Sequence, residues 1–345
     1  MLSANGAQTK AWQLFVGASG IYGAYLYYGY VQEDLFRYRS PDSGAGFTFV
    51  WFLQILESAV TMGIGYAGRR WIGGRDNLPL APFFKSGASQ LAAKALMSMS
   101  LAAGLSFPVV VLAKSAKIVP VMLGQLCIGG SSYTVRDYMF AVLIVCGTAL
   151  LSAGNRNEQV PEGSDTVTGL VLIFLSLTAD GFTGGLQKKL KRVTANMAPT
   201  TYDFLYFSHL AQLAVAIVIC VVTRELWAAP AYLATNRAIW WSVLASCVCS
   251  AVGQCFIFYV ISCFDPLVCT TITTTRKMLT VVLSISFKGH DLTGAGCFGL
   301  ALAVTALIIE VEGKVTAYRV RQKGSVEVKP SQQQHLPLTT ATSGV

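Results

Sequence analysis

The stretch TTITTTRKMLTVVLS, residues 270–284, decides how this chain is read. Its second half is apolar enough for the interior of a bilayer, yet Arg276 and Lys277 stand side by side within it. A Lys or Arg at the centre of a membrane helix costs roughly 2.5–3.5 kcal/mol on insertion scales, so such residues need partners. A second stretch follows the same plan. In FPVVVLAKSAKIVPVMLG (107–124), as in DPLVCTTITTTRKMLTVVLS (265–284), a proline near the start is followed by apolar residues and then by cations, here Lys114 and Lys117.

The surrounding sequence supports a membrane setting. Of 345 residues, 53% are hydrophobic and 12% charged, against about 25% charged in ordinary soluble domains. Ten apolar runs have the ~17–23 residues that cross a bilayer as helix. They lie at 12–32, 47–67, 87–106, 108–128, 137–153, 167–187, 202–222, 239–261, 266–287 and 293–311. The third is the least apolar, because Lys94 and several serines interrupt it. The first lacks a basic leader and a cleavage site, so it is expected to stay as a helix. From Glu312 the composition turns polar, which predicts a disordered tail over 312–345.

The two cation-bearing stretches mark an internal repeat. If 12–153 and 167–311 are two copies of five helices, the odd number sets them in opposite orientation, a common transporter plan. The expected fold is thus an all-α integral membrane protein with ten transmembrane helices as two inverted five-helix repeats. Residues 1–311 would form one domain. With the N-terminus in the cytosol, fifteen loop and tail Lys/Arg fall on that side and six opposite. The positive-inside rule therefore predicts that both termini are cytosolic.

Function classes can be narrowed in the same way. The nine cysteines lie in or beside apolar runs and have no paired CxxC spacing, so neither a disulfide framework nor a metal site is expected. No cofactor is implied. The basic runs are not interleaved with aromatics, which argues against nucleic acid as a partner. Three histidines and the absence of HExxH, GxSxG or GxxxxGK[ST] argue against an enzyme.

Five cations, Lys94, Lys114, Lys117, Arg276 and Lys277, fall inside spans, against Glu57 and Asp180 there and Glu33 and Asp265 at span ends. An anionic ligand is the simplest partner for that surplus. Lys114 and Lys117 are three apart and share a face. Lysine offers phosphate a compact charge and arginine a two-pronged grip. Arg276, Lys277 and Thr273 would then form a second cluster facing the lysines. Snorkelling to an interface is the competing reading for the lysines. Arg276 and Lys277 lie about 100° apart around a helix, so one can face a cavity while the other pairs elsewhere. Gln254 reads equally as glue between helices or as a base-reading group. Asp180 reads as structural, bonding near a glycine-rich turn, and Glu33 as a stand-in counter-ion for the lysines.

These motifs also carry a resemblance. YYGYVQEDLFRY (27–38), KSAKIVPVML (114–123), LSLTADGFTG (175–184), SAVGQCFIF (250–258) and TITTTRKMLTVVLS (271–284) together resemble the nucleotide-sugar transporters of the drug/metabolite transporter superfamily. The branch they resemble is called UDP-galactose transporter homologue. Some of its members are described as ATP/ADP exchangers of the endoplasmic reticulum. The resemblance implies an antiporter bringing UDP-galactose or UDP-glucose into the lumen against UMP. An ATP/ADP exchanger is the alternative, and a 3′-phosphoadenosine 5′-phosphosulfate carrier comes third. It implies Lys114, Lys117, Arg276 and Lys277 on phosphate, with Gln32, Glu33, Gln254 and Thr273 contacting base or sugar or gating the site. The implied partners are a nucleotide or nucleotide sugar and the lipid bilayer, with a homodimer left open. The endoplasmic reticulum membrane is the expected location, with the Golgi second. The sequence departs from the family pattern at Lys94, where an asparagine is usual, and at Tyr206, where another is common.

Overall fold

A computed structural model describes residues 2–41, 44–117, 135–154, 166–197, 199–264, 266–288 and 293–327. They form eleven α-helices, with no strand among them beyond an isolated antiparallel bridge between Arg39 and Gly46. The helices are α1 (Leu2–Arg37), α2 (Val50–Ile72), α3 (Leu80–Ala102), α4 (Phe107–Ala113), α5 (Val135–Gly154), α6 (Thr166–Val193), α7 (Thr201–Val222), α8 (Glu225–Thr235), α9 (Trp240–Cys263), α10 (Pro266–Lys288) and α11 (Gly294–Glu327). Five are long and apolar enough by length and composition to cross a membrane: α2, α7, α9 with its preceding turn, and the Val167–Gln187 and Gly294–Gly313 parts of α6 and α11. The chain is a helical membrane protein. A 23-residue helix such as α2 is ~35 Å long, enough for the ~30 Å of hydrocarbon.

Helix ends follow local chemistry. α4 carries Pro108 in its first turn, where a missing N–H costs nothing. α7 opens with a capping box, Thr200 accepting from the Asp203 amide and the Asp203 carboxylate accepting from the Thr200 amide. α2 has no cap of its own. Instead Glu225, at the start of α8, accepts from the Trp51 and Phe52 amides at 2.8 and 3.1 Å. α8 itself is a short helix outside the ten expected spans.

Several expectations are corrected in detail. The third span runs from Leu80 rather than residue 87, because Lys85, read as loop, is exposed in the helix's early turns. The fourth is not a plain helix. It changes at Lys114 to a 3-10 turn over Lys114–Lys117. Residues 118–128 of that span lie outside the described residues. The glycines after Asp180 make no turn, for α6 runs through them to Val193. α11 continues past Glu312 to Glu327 where a disordered tail was expected, and near Glu312 it is tied to α5 by Arg136, which bonds the Ile309 carbonyl at 2.8 Å and lies 3.5 Å from the Glu312 carboxylate. Residues 328–345 lie outside the described residues.

The helices pack chiefly in the pairs α5 with α11, α2 with α7, α3 with α6 and α1 with α9. Next come α3 with α7 and α2 with α9, then α10 with α11, α1 and α4. The α5–α11 seam is backbone on backbone. A Cβ on Gly147 would lie 2.6 Å from the Ala303 amide, and one on Gly299 2.7 Å from the Gly147 carbonyl. Close approach through small residues is how helices associate without a hydrophobic drive. One large core among the described residues joins Phe36, Phe47, Val50, Val110, Val243 and Val281. Two smaller apolar clusters lie apart from it. One holds Leu78, Phe83, Leu190 and Phe207, the other Ile21, Val260 and Cys269.

Candidate functional site

The site is built where α1 meets α10 and α2. Tyr22, Tyr25 and Tyr28 recur every three residues along α1 and so share a face. The Tyr22 hydroxyl is hydrogen-bonded to Thr275. The Arg276 guanidinium carbon lies 4.7 Å from the centre of the Tyr25 ring. The Tyr28 hydroxyl donates to Glu57 at 3.1 Å. Gly253 on α9 makes room for this arrangement, since a Cβ there would sit 2.5 Å from the Tyr25 ring. The threonines of α10 hold their hydroxyls on the helix's own carbonyls, Thr275 on Thr271 and Thr280 on Arg276, which lets polar residues run through an apolar setting.

The interior cations do not all behave alike. Lys114 Nζ donates to Asp180 Oδ2 at 2.6 Å, across from α4 to α6. Lys94 lies 4.0 Å from the buried Glu57 carboxylate. Arg276 stacks on Tyr25, and its Nε is buried with no hydrogen-bond partner among the described residues. Lys277 and Thr273 are half-buried on α10. The Lys117 side chain lies outside the described residues; its backbone closes the 3-10 turn.

Glu33 and Gln32 are both buried near the end of α1. Glu33 accepts from Ser284 at 2.7 Å and from Arg37 at 3.4 Å, so it reaches α10 but is already engaged. Gln32 Oε1 is buried without a hydrogen-bond partner among the described residues. Gln254 is half-buried on α9, beside Gly253. The structure therefore places Arg276 and Lys277 on a helix packed against both α1, which carries Gln32 and Glu33, and α4, which leads into the turn that holds Lys114. A cleft of about 330 Å³ opens between α1, the start of α4 and α10, lined by Tyr27, Tyr30, Phe107, Leu283 and Phe287, with Glu33 and Ser284 in its wall. The lining is mostly apolar, with Glu33, Thr280 and Ser284 as its polar members beside the Tyr27 and Tyr30 hydroxyls.

Sequence reasoning missed two pairings. One is Tyr25 beneath Arg276 and the other Tyr28 on Glu57. The signal was present in the three-residue spacing of Tyr22, Tyr25 and Tyr28.

A family model described as the UAA transporter family matches residues 13–314. The chain is 30% identical over 332 residues to the Solute carrier family 35 member B1 homolog of Drosophila melanogaster, covering 92% of this chain and 96% of that one. It is 29% identical over 300 residues to UDP-galactose/UDP-glucose transporter 3 of Arabidopsis thaliana (82% and 87% covered). It is 27% identical over 300 residues to Adenosine 3'-phospho 5'-phosphosulfate transporter 1 of Dictyostelium discoideum (86% and 82% covered). A crystal structure described only as that of a protein superposes with a TM-score of 0.50 at 14% identity, covering 85% of this chain and 97% of that one. That is a likeness of fold alone.

Proposed function

Because the chain belongs to the UAA transporter family, and is by that membership a transporter and not an enzyme, we propose that it is a nucleotide-sugar antiporter. It carries UDP-galactose or UDP-glucose into the lumen of the endoplasmic reticulum against UMP, with both termini in the cytosol. The observation that carries this reading is the set of basic groups on α10 and at the end of α4, held among tyrosines and acids in helices that pack on one another. The name of the Arabidopsis relative supports a UDP-hexose as the cargo.

In this reading Lys114, Lys117, Arg276 and Lys277 hold the diphosphate. Gln32, Glu33, Gln254 and Thr273 contact base or sugar or gate the site. The orphaned Gln32 Oε1 is an acceptor suited to a base N–H or a sugar hydroxyl. An anion that neutralises the cations lowers the cost of moving them through a dry midplane, which is the physical reason for exchange.

The fold we propose is ten spans in two inverted repeats, and the packing supports it. Exchange each helix of the first half for its counterpart: α1 for α6, α2 for α7, α3 for α9, α4 for α10, α5 for α11. The α1–α9 contact becomes α6–α3, and α3–α7 becomes α9–α2. The pairs α2–α7, α4–α10 and α5–α11 return to themselves. All of these contacts are present, as two copies related by an axis in the membrane plane require.

Counterflow tests the function. Purified protein in liposomes preloaded with UMP, ADP or buffer is offered labelled UDP-galactose, UDP-glucose, ATP or 3′-phosphoadenosine 5′-phosphosulfate. UDP-hexose uptake driven by internal UMP is expected, and Lys117→Ala or Lys277→Ala should abolish it in folded protein. Uptake of ATP against ADP, with none of UDP-hexose, would replace the reading.

A further inference from the structure

Asp180 lies at the middle of the 28-residue helix α6, where a carboxylate alone would be costly. Its side chain is 29% exposed and that of Lys114 14%, and the two are joined at 2.6 Å. Among the described residues Lys114 is its ion-pair partner, and no hydrogen bond anchors it elsewhere. The other acids of the interior are held differently. Glu33 is shared between Ser284 and Arg37, and Glu57 between Tyr28 and Lys94. Asp180 meets Lys114, a residue proposed to hold phosphate.

To a lysine ammonium, a carboxylate oxygen and a phosphate oxygen are the same kind of partner. A phosphate that takes Lys114 must displace Asp180 or share the ammonium with it. The pair also joins α4, in the first half of the chain, to α6, the first helix of the second.

We infer that Asp180 is the resident counter-ion of the substrate site, holding the Lys114 ammonium when no nucleotide is bound and yielding it to a substrate phosphate. This role, expected of Glu33 from the sequence, rests on the nucleotide reading above. It has two consequences. Substrate binds less tightly than it would to a bare lysine. The empty carrier has that lysine neutralised and returns without cargo, so a leak accompanies exchange.

The test is a binding cycle on the full chain in detergent, with labelled UDP-galactose, UMP, ATP and ADP as probes. Asp180→Asn is expected to tighten nucleotide binding by about two- to fivefold, the worth of a partly exposed ion pair. In liposomes it should slow efflux into nucleotide-free buffer while exchange continues. In a Lys114→Gln background the same substitution should leave affinity unchanged. Unchanged or weaker binding by folded Asp180→Asn would overturn the inference. So would equal tightening in the Lys114→Gln background, since that is a general field effect. If Asp180→Asn does not fold, Asp180→Ser enters the same cycle with the same expected and overturning results. Failure of the unaltered chain to bind any of the four probes would instead overturn the nucleotide reading, and this inference with it.

Discussion

Arg276 lies over the face of Tyr25, its guanidinium carbon 4.7 Å from the ring centre. Among the described residues the ring rather than a carboxylate steadies this half-buried cation, which leaves the planar fork available for a bidentate grip on an anion. Tyr25→Phe keeps the ring and should leave exchange near its starting rate. Tyr25→Leu removes about 1–2 kcal/mol of cation–π attraction, so affinity should fall roughly 5- to 30-fold. Arg276→Lys should lose more than Tyr25→Leu, because it gives up both stacking and the fork. Binding isotherms of the three variants check the order.

Glu57 is buried, accepts from Tyr28 and lies 4.0 Å from Lys94. Removing the carboxylate leaves Lys94 without compensation. Because the lysine is 25% exposed, we expect Glu57→Ala to cost about 2 kcal/mol, below the range for a fully buried pair. Adding Lys94→Met should restore much of that. Thermal melting in detergent of the two single variants and the double variant reads the coupling.

The glycine seam gives a sharper contrast. At Gly299 a Cβ would meet the Leu151 amide at 2.5 Å and the Gly147 carbonyl at 2.7 Å, and backbone does not step aside. Gly299→Val should cost about 1–3 kcal/mol by overpacking and lower the yield of folded protein. Gly184, with nothing within 4 Å of its Cβ position, should accept alanine with no loss. Size-exclusion profiles and melting temperatures separate the two.

Glu225 offers a test by pH. Burial pushes its carboxyl above the usual carboxylate range, while the Phe52 and Trp51 amides pull it part of the way back. A raised value in the folded chain means that folding favours the protonated form. Its contribution is therefore fullest below the ordinary carboxylate range and declines as pH rises through the raised value. Glu225→Gln should keep the cap and flatten that part of the stability profile. Glu225→Ala should lose the cap at every pH, about 1 kcal/mol. Melting temperatures across pH 3–8, about the span in which carboxyls and their shifted forms titrate, check the sign.

Much of the bundle could be read from hydropathy alone, because a bilayer leaves the backbone little choice but helix. The offsets came where that rule is silent. Lys85 looked like loop because charge was taken for exposure to water outside the membrane, yet an exposed face on an early turn serves as well. Glycines 181, 184 and 185 looked like a turn because Gly is permissive, but α6 runs straight through them, with Gly184 and Gly185 on its open side. Of the site, the residue types were legible and the pairings were not. Asp180 and Lys114 are 66 positions apart, and one sequence carries no signal that joins them. The Tyr25–Arg276 contact could have been anticipated in part from the tyrosine spacing on α1, but its partner helix could not.

Among the described residues the largest apolar core is continuous and draws on both halves of the chain, from Phe36, Val50 and Val110 to Val243 and Val281. Parting the helices there would expose that surface to water, at roughly 25 cal/mol for each Å². A rearrangement that leaves the cluster whole is the less costly one, so cross-links between its members should be better tolerated than cross-links placed elsewhere.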